Sequence, residues 1–168
     1  MDIKKFINET FKIRNKKENH DDHVKFEWNQ IDEHIYVGTN SCCQMHFDED
    51  LLKKGIKGNI SMEFERLDFA QGLEEFLWLP TKNHTAPTQD NLMIGSKAIE
   101  AMIDQGHKIY IHCKNGHGRG PTMAVAYYIY KGKSVDEAIA FVKNGRPETH
   151  IKEVQIMALE EFEKSIKK

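Results

Sequence analysis

The chain has 168 residues, 30% of them charged, and a formal net charge of −2 at neutral pH. That length favours one domain with its own core, and the near-neutral balance gives no bulk electrostatic case for nucleic acid or membrane binding. The three cysteines are odd in number and two are adjacent, Cys42 and Cys43, so they form no disulfide framework and point to a reducing, cytoplasmic setting.

Residues 2–14 set Ile3, Phe6, Ile7 and Phe11 on one helical face with lysines opposite. This predicts a short amphipathic helix packed on the domain, or one lying on a membrane surface. The opening stretch is strongly charged and unlike a secretion signal, and no segment has the length of a membrane span. Residues 15–23 read as a charged connector. The predicted division is therefore 1–22, N-terminal helix and connector, and 23–168, the main domain. No internal repeat or low-complexity segment interrupts it.

Val24, Phe26 and Trp28 alternate, Ile31 follows, and then comes Ile35-Tyr36-Val37-Gly38: strand, turn, strand. Residues 47–54 predict a short helix, with Asp48, Glu49 and Asp50 at its start, lysines at its end and Gly55 as its stop. Residues 56–62 read as a strand, and 63–72 as a mixed, acidic stretch. Residues 76–79 read as a strand ended by Pro80, and 80–88 as a loop. Thr88 is the expected N-cap of a helix running to about residue 105, and Gly106 stops it. Strand 108–112 leads through a Gly-rich loop into helix 120–131. Ser134 caps a helix over 135–143, Asn144-Gly145-Arg146-Pro147 turns the chain, and 151–166 form a last amphipathic helix. The order predicts an α/β domain, a central, mostly parallel sheet flanked by helices.

The chemistry concentrates in residues 109–122, where an apolar strand ends in His112-Cys113, a Gly-rich loop follows, then Arg119, then a helix. Loop amides and a helix N-terminus make an anion site. Cys113 sits at its floor, where the helix N-terminus and Arg119 would stabilise a thiolate. A thiolate under N–H donors, with a guanidinium able to grip two oxygens, is a nucleophile aimed at a phosphoryl group. The alternative is a buried cysteine closing an ordinary strand. The strand would deliver the loop at its C-terminal end, where open α/β sheets bind ligands. No metal site is expected, since the nine histidines show no ligand spacing. No cofactor is expected either.

Cys113, five residues and Arg119, with His112, Gly116 and Gly118, match the His-Cys-x-x-Gly-x-x-Arg form of the protein tyrosine phosphatase superfamily. The chain resembles a small dual-specificity-type cysteine phosphatase of the compact microbial and archaeal kind. The resemblance runs from about Trp28 to about Phe162, through Ile35-Tyr36-Val37-Gly38, Leu79-Pro80 leading to His84-Thr85-Ala86-Pro87, 109–122, and Arg146-Pro147 with Gln155 beyond. It implies the cysteine-phosphatase fold and a two-step reaction through a phosphocysteine, with the transition-state charge held by Arg119. It also implies a phosphate-binding set of Lys114, Asn115, Gly116, His117, Gly118, Arg119 and Gly120. His112 would orient the loop and help lower the thiolate pKa. Lys114 and His117 would face outward, as a solvated rim or as added positive charge for a more highly phosphorylated ligand.

Two positions depart from the pattern. Asn83 stands where the family has an Asp general acid, and an amide has no titratable proton. Either His84 beside it supplies the proton, with Asp68 and Asp90 the nearest carboxylates, or no acid does; an engineered Asp-to-Asn change is a further reading. Gly120 stands where the family has Ser or Thr, whose hydroxyl assists thiolate departure; Thr122 could reach back from two positions on. In some relatives a second thiol guards the nucleophile, but nothing in the sequence places Cys42 or Cys43 near Cys113.

The function so read is hydrolysis of phosphotyrosine, with phosphoserine and phosphothreonine as further substrates. The alternatives are a weak pseudophosphatase that binds a phosphorylated ligand, and a phosphoinositide or small-molecule phosphatase. A rhodanese-like sulfurtransferase fits His112 and Arg119 less well. The expected partner is a phosphorylated protein or small phosphate, without nucleic acid or an integral membrane; oligomeric state is open.

Overall fold

A computed structural model describes residues 25–40, 47–67 and 71–167. The predicted helix over 2–14, Cys42, Cys43 and Asp68 lie outside them. The sheet has strands β1 (Trp28–Gln30), β2 (Ile35–Thr39), β3 (Ile56–Glu63), β4 (Glu75–Thr81) and β5 (Lys108–Cys113), in the order β1-β2-β5-β3-β4. β1 runs antiparallel to β2, and every other pairing is parallel. β5 is central, so its last residue, Cys113, emerges in the middle of the sheet's C-terminal edge.

Strand side chains alternate between faces. Ile35, Val37, Ile109, Ile111 and Cys113 face the main core, where helices α2 (Gln89–Asp104), α3 (Arg119–Tyr130), α4 (Val135–Gly145) and α5 (Glu153–Ile166) pack. Tyr36 and Tyr110 face the other way, against Phe47 and Leu51, the latter in the short helix α1 (Glu49–Lys53). α3 is buried from Arg119 to Ile129. A helix apolar all round belongs inside a domain, and this one runs from the Gly-rich loop after β5 into the core.

Among the described residues the predicted elements are found; most ends move by a residue or two, and four bounds differ in a telling way. β1 begins at Trp28, later than the alternation from Val24 suggested. β4 passes through Pro80 to Thr81; it is an edge strand, where a missing N–H removes no ladder bond. α4 continues through Asn144 and Gly145, the predicted turn, because Gly145 lies against Ile31 and a Cβ there would come 3.0 Å from the Ile31 Cα. α5 begins at Glu153, after residue 151, because the Gln155 carboxamide accepts from the Lys152 N–H at 3.0 Å and caps the helix there.

Candidate active site

Three helices begin under a side-chain cap: Asp48 on α1, Thr88 on α2 and Ser134 on α4. α3 follows Gly118 and has no side-chain cap. The first amides of a helix lack internal acceptors, so this N-terminus keeps its donors for a ligand. The loop before it is fastened from behind. Arg146, fully buried, donates through Nε to the Gly116 carbonyl at 2.8 Å and through Nη1 to Asn29 at 2.5 Å, and pairs with Glu27 at 3.2 Å. Gly116 has φ 63°, and a Cβ on it would meet the Gly38 carbonyl carbon at 2.5 Å, so only glycine fits. The His150 N–H donates to the His117 carbonyl at 2.7 Å, and the Asn40 N–H to the Lys114 carbonyl at 3.3 Å.

A cavity of about 280 Å³ opens above this loop, lined by Asn83, His84, Cys113, Asn115, His117, Gly118, Arg119, His150, Lys152 and Gln155. Arg119 is buried, and its Nη1 donates to Glu65 at 2.8 Å and to the Thr81 carbonyl at 2.7 Å. These two acceptors fix the guanidinium plane. Among the described residues none accepts from its Nε or Nη2, which leaves both nitrogens free to donate to an anionic ligand. Partial burial raises the Glu65 carboxyl, but hydrogen bonds from Arg119 and from backbone amides, with the Arg119 charge, hold it below the usual range.

His112 is buried and stacks on Tyr110 with ring centroids 5.5 Å apart. Burial, aided by the Arg66 cation, pushes its imidazole down to about 3. The ring is therefore neutral at physiological pH and brings no positive charge to the loop. Thr122 does not reach back toward the thiol: its hydroxyl donates to the Gly118 carbonyl at 2.8 Å. Gly120 packs closely on the strand, and a Cβ on it would lie 3.3 Å from the His112 carbonyl carbon.

The opposite wall is the turn at Lys82–Thr85. The Thr85 N–H and hydroxyl both donate to the Lys82 carbonyl, at 3.2 and 2.8 Å. The Asn83 Oδ1 accepts from the His84 N–H at 3.1 Å. His84 has φ 66°, the left-handed region, and is the only described residue other than glycine there. Gln155, buried, donates to the Thr85 carbonyl at 3.0 Å and ties this turn to the start of α5. Lys152 Nζ lies 2.6 Å from His84 Nδ1.

The structure thus brings the sequence's Cys113, Asn115, His117, Gly118, Arg119, Asn83 and His84 into one pocket. Lys114 is exposed and outside the lining, and Gly116, Gly120 and His112 act from behind it. Asp90 sits in the first turn of α2, away from the lining. Glu65, Arg146, His150 and Lys152 carry roles that sequence reasoning did not give them; Glu65 fell in the unassigned acidic stretch, and the other three come from distant segments. Elsewhere, Glu74, Glu75 and His107 cluster with ligand atoms within 4.8 Å of one another, but Glu75 pairs with His107 and Glu74 with Lys57.

Residues 35–165 match the family described as "Dual specificity phosphatase, catalytic domain". Over 110 residues the chain is 38% identical to human "Phosphatidylglycerophosphatase and protein-tyrosine phosphatase 1", covering 64% of this chain and 52% of that one. Over 146 residues it is 30% identical to "Phosphatidylglycerophosphate phosphatase PTPMT2" of Arabidopsis thaliana, covering 80% and 62%. The chain therefore spans between half and two thirds of the length of these curated relatives. The crystal structure of PTPMT1 in complex with PI(5)P superposes with a TM-score of 0.72 at 27% identity, over 84% of this chain and 97% of that one. Human DUSP28, at 21% identity and a TM-score of 0.75 over 86% and 98%, has the same fold.

Proposed function

The chain belongs to the dual specificity phosphatase family, and on that premise we propose that it hydrolyses phosphate monoesters with Cys113 as nucleophile. One observation carries the reading: Cys113 lies at the floor of the cavity under an uncapped helix N-terminus, beside an Arg119 whose plane is fixed by Glu65 and Thr81. The thiolate attacks phosphorus, and the leaving oxygen departs with the bonding pair. Arg119 and the loop amides hold the three equatorial oxygens, where charge spreads in the transition state. Water then hydrolyses the phosphocysteine. A ligand-binding pseudophosphatase would have no use for the cysteine.

Phosphotyrosine is the substrate the motif suggests. A phosphorylated lipid headgroup is the second reading, and a specific observation favours it. Phe64 and Leu67 flank Glu65 with about half their surface exposed, and Lys82 stands 5.7 Å over the Phe64 ring. An apolar rim with a cation suits a lipid surface, and two relatives are named for phosphatidylglycerophosphate. We place this activity in residues 23–168 and assign residues 1–22 no part in the chemistry. Among the described residues no helix is long and apolar enough to cross a membrane.

The test compares phosphate release from a phosphotyrosine peptide and from phosphatidylglycerophosphate in mixed micelles, each beside Cys113→Ser. Release from either substrate by the wild type alone supports the phosphatase reading, and the ratio chooses between the two classes. Release from neither, with Cys113 inert to iodoacetate at neutral pH, would overturn it.

A further inference from the structure

A phosphatase of this design needs a proton for its leaving group, and Asn83 cannot give one. The missing proton has another route in this pocket. Lys152 lies 2.6 Å from His84 Nδ1, and both residues line the cavity above Cys113. Lys152 has no carboxylate partner among the described residues. An ammonium only donates, so Nδ1 accepts and the ring proton resides on Nε2. Asn83 Nδ2 is 3.3 Å from Nε2. Two donors face each other there, and the amide cannot turn over without losing the His84 N–H that its oxygen holds at 3.1 Å. The Nε2 proton is therefore left for a ligand oxygen.

We propose that Lys152 and His84 together replace the missing acid: His84 Nε2 protonates the leaving oxygen while Lys152 Nζ passes a proton to His84 Nδ1. The proposal rests on the phosphatase reading above. As the bond from Cys113 Sγ to phosphorus forms and the ester P–O bond breaks, the departing oxygen keeps the bonding pair and takes the Nε2 proton. Nδ1 takes one from Nζ. The products are the alcohol or phenol, an imidazole protonated at Nδ1 and a neutral amine. Nε2 is now an acceptor, and Asn83 Nδ2 at 3.3 Å is the donor that can satisfy it. In the second step water attacks phosphorus and the S–P bond breaks. Nε2 takes a water proton, Nδ1 returns its proton to Nζ, and the thiolate, imidazole and ammonium are restored. The bond from Gln155 to the Thr85 carbonyl ties the turn that carries His84 to the start of α5, next to Lys152.

The experiment measures kcat/KM for aryl phosphates of graded leaving-group acidity, from dinitrophenyl to phenyl. This parameter reports the steps through Cys113 phosphorylation, whatever the speed of its breakdown. The variants are Lys152→Met, Lys152→Arg, and each of these with Asn83→Asp. Lys152→Met should lose a few-fold on the best leaving group and about 10²-fold on phenyl phosphate. Lys152→Arg should behave alike, because a guanidinium keeps the charge but releases no proton. Asn83→Asp should restore the phenyl phosphate rate in both backgrounds. A uniform loss across the series, or full activity in Lys152→Arg, would overturn the relay and leave Lys152 a merely electrostatic part of the pocket. If the wild type hydrolysed no member of the series and Cys113 resisted alkylation, the phosphatase reading itself would fail.

Discussion

The two walls of the pocket are held by different means. Behind the phosphate loop stand buried groups: Arg146 on the Gly116 carbonyl, and backbone bonds at Lys114 and His117. The turn at Lys82–Thr85 is exposed and is tied by side chains, through Asn83, Gln155 and Lys152. On our account the first wall binds charge that appears in one place, and preorganised donors serve that task best. The second must, on our account, release a proton and take it back. It is built from contacts whose donor and acceptor roles can exchange.

Damage to the first wall should be the most severe. Arg119→Ala should lower kcat/KM for an aryl phosphate by about 10³-fold, read by steady-state kinetics on protein whose melting curve shows it folded, since the change also strands Glu65 and the Thr81 carbonyl. Arg146→Met strikes the same wall from behind. It strands the Gly116 carbonyl, Asn29 and Glu27, and the loss of one partner of a buried network costs about 3 kcal/mol. Urea unfolding would report it, while Lys152→Met on the exposed wall should leave the urea midpoint within error.

Acid should also act on the buried side. His112 is neutral in the fold, with its imidazole at about 3 against 6.5 for the unfolded chain. Between those values the unfolded state binds the extra proton, so this contribution is complete above pH 6.5 and fades as pH falls toward 3. The loss from pH 6.5 to 5 should be about 2 kcal/mol from this residue. Unfolding curves across that window would measure it, and a His112→Asn variant should lose the slope. The smallest effect concerns Gly120. Gly120→Ser should speed phosphocysteine breakdown by about 10-fold or less, read by rapid quench. The tight spacing to His112 keeps the gain small.

The same contrast governs what could be read from the sequence. The phosphate loop is contiguous, and strand, glycines, Arg119 and helix fall within residues 109–122, so local pattern sufficed. Asn83 and His84 were legible through the resemblance alone, which sets a general acid just before His84-Thr85-Ala86-Pro87; their own pattern gave only a loop. Lys152 and Glu65 were not, because they reach the pocket from 68 and 54 residues away in sequence from His84 and Arg119. Only the fold brings them in. Pro80 and Gly145 misled for a related reason. Each is a breaker by local propensity, and each is tolerated where tertiary structure leaves it, at a sheet edge and against Ile31.

The most direct test of the central claim is to quench the enzyme in acid during turnover of an aryl phosphate and locate phosphate by mass spectrometry. The account predicts one phosphoryl group on the peptide carrying Cys113, and none in Cys113→Ser, which should also release no phosphate. Turnover by Cys113→Ser at the wild-type rate, or a wild-type enzyme that turns over with no phosphoryl group ever found on Cys113, would contradict it.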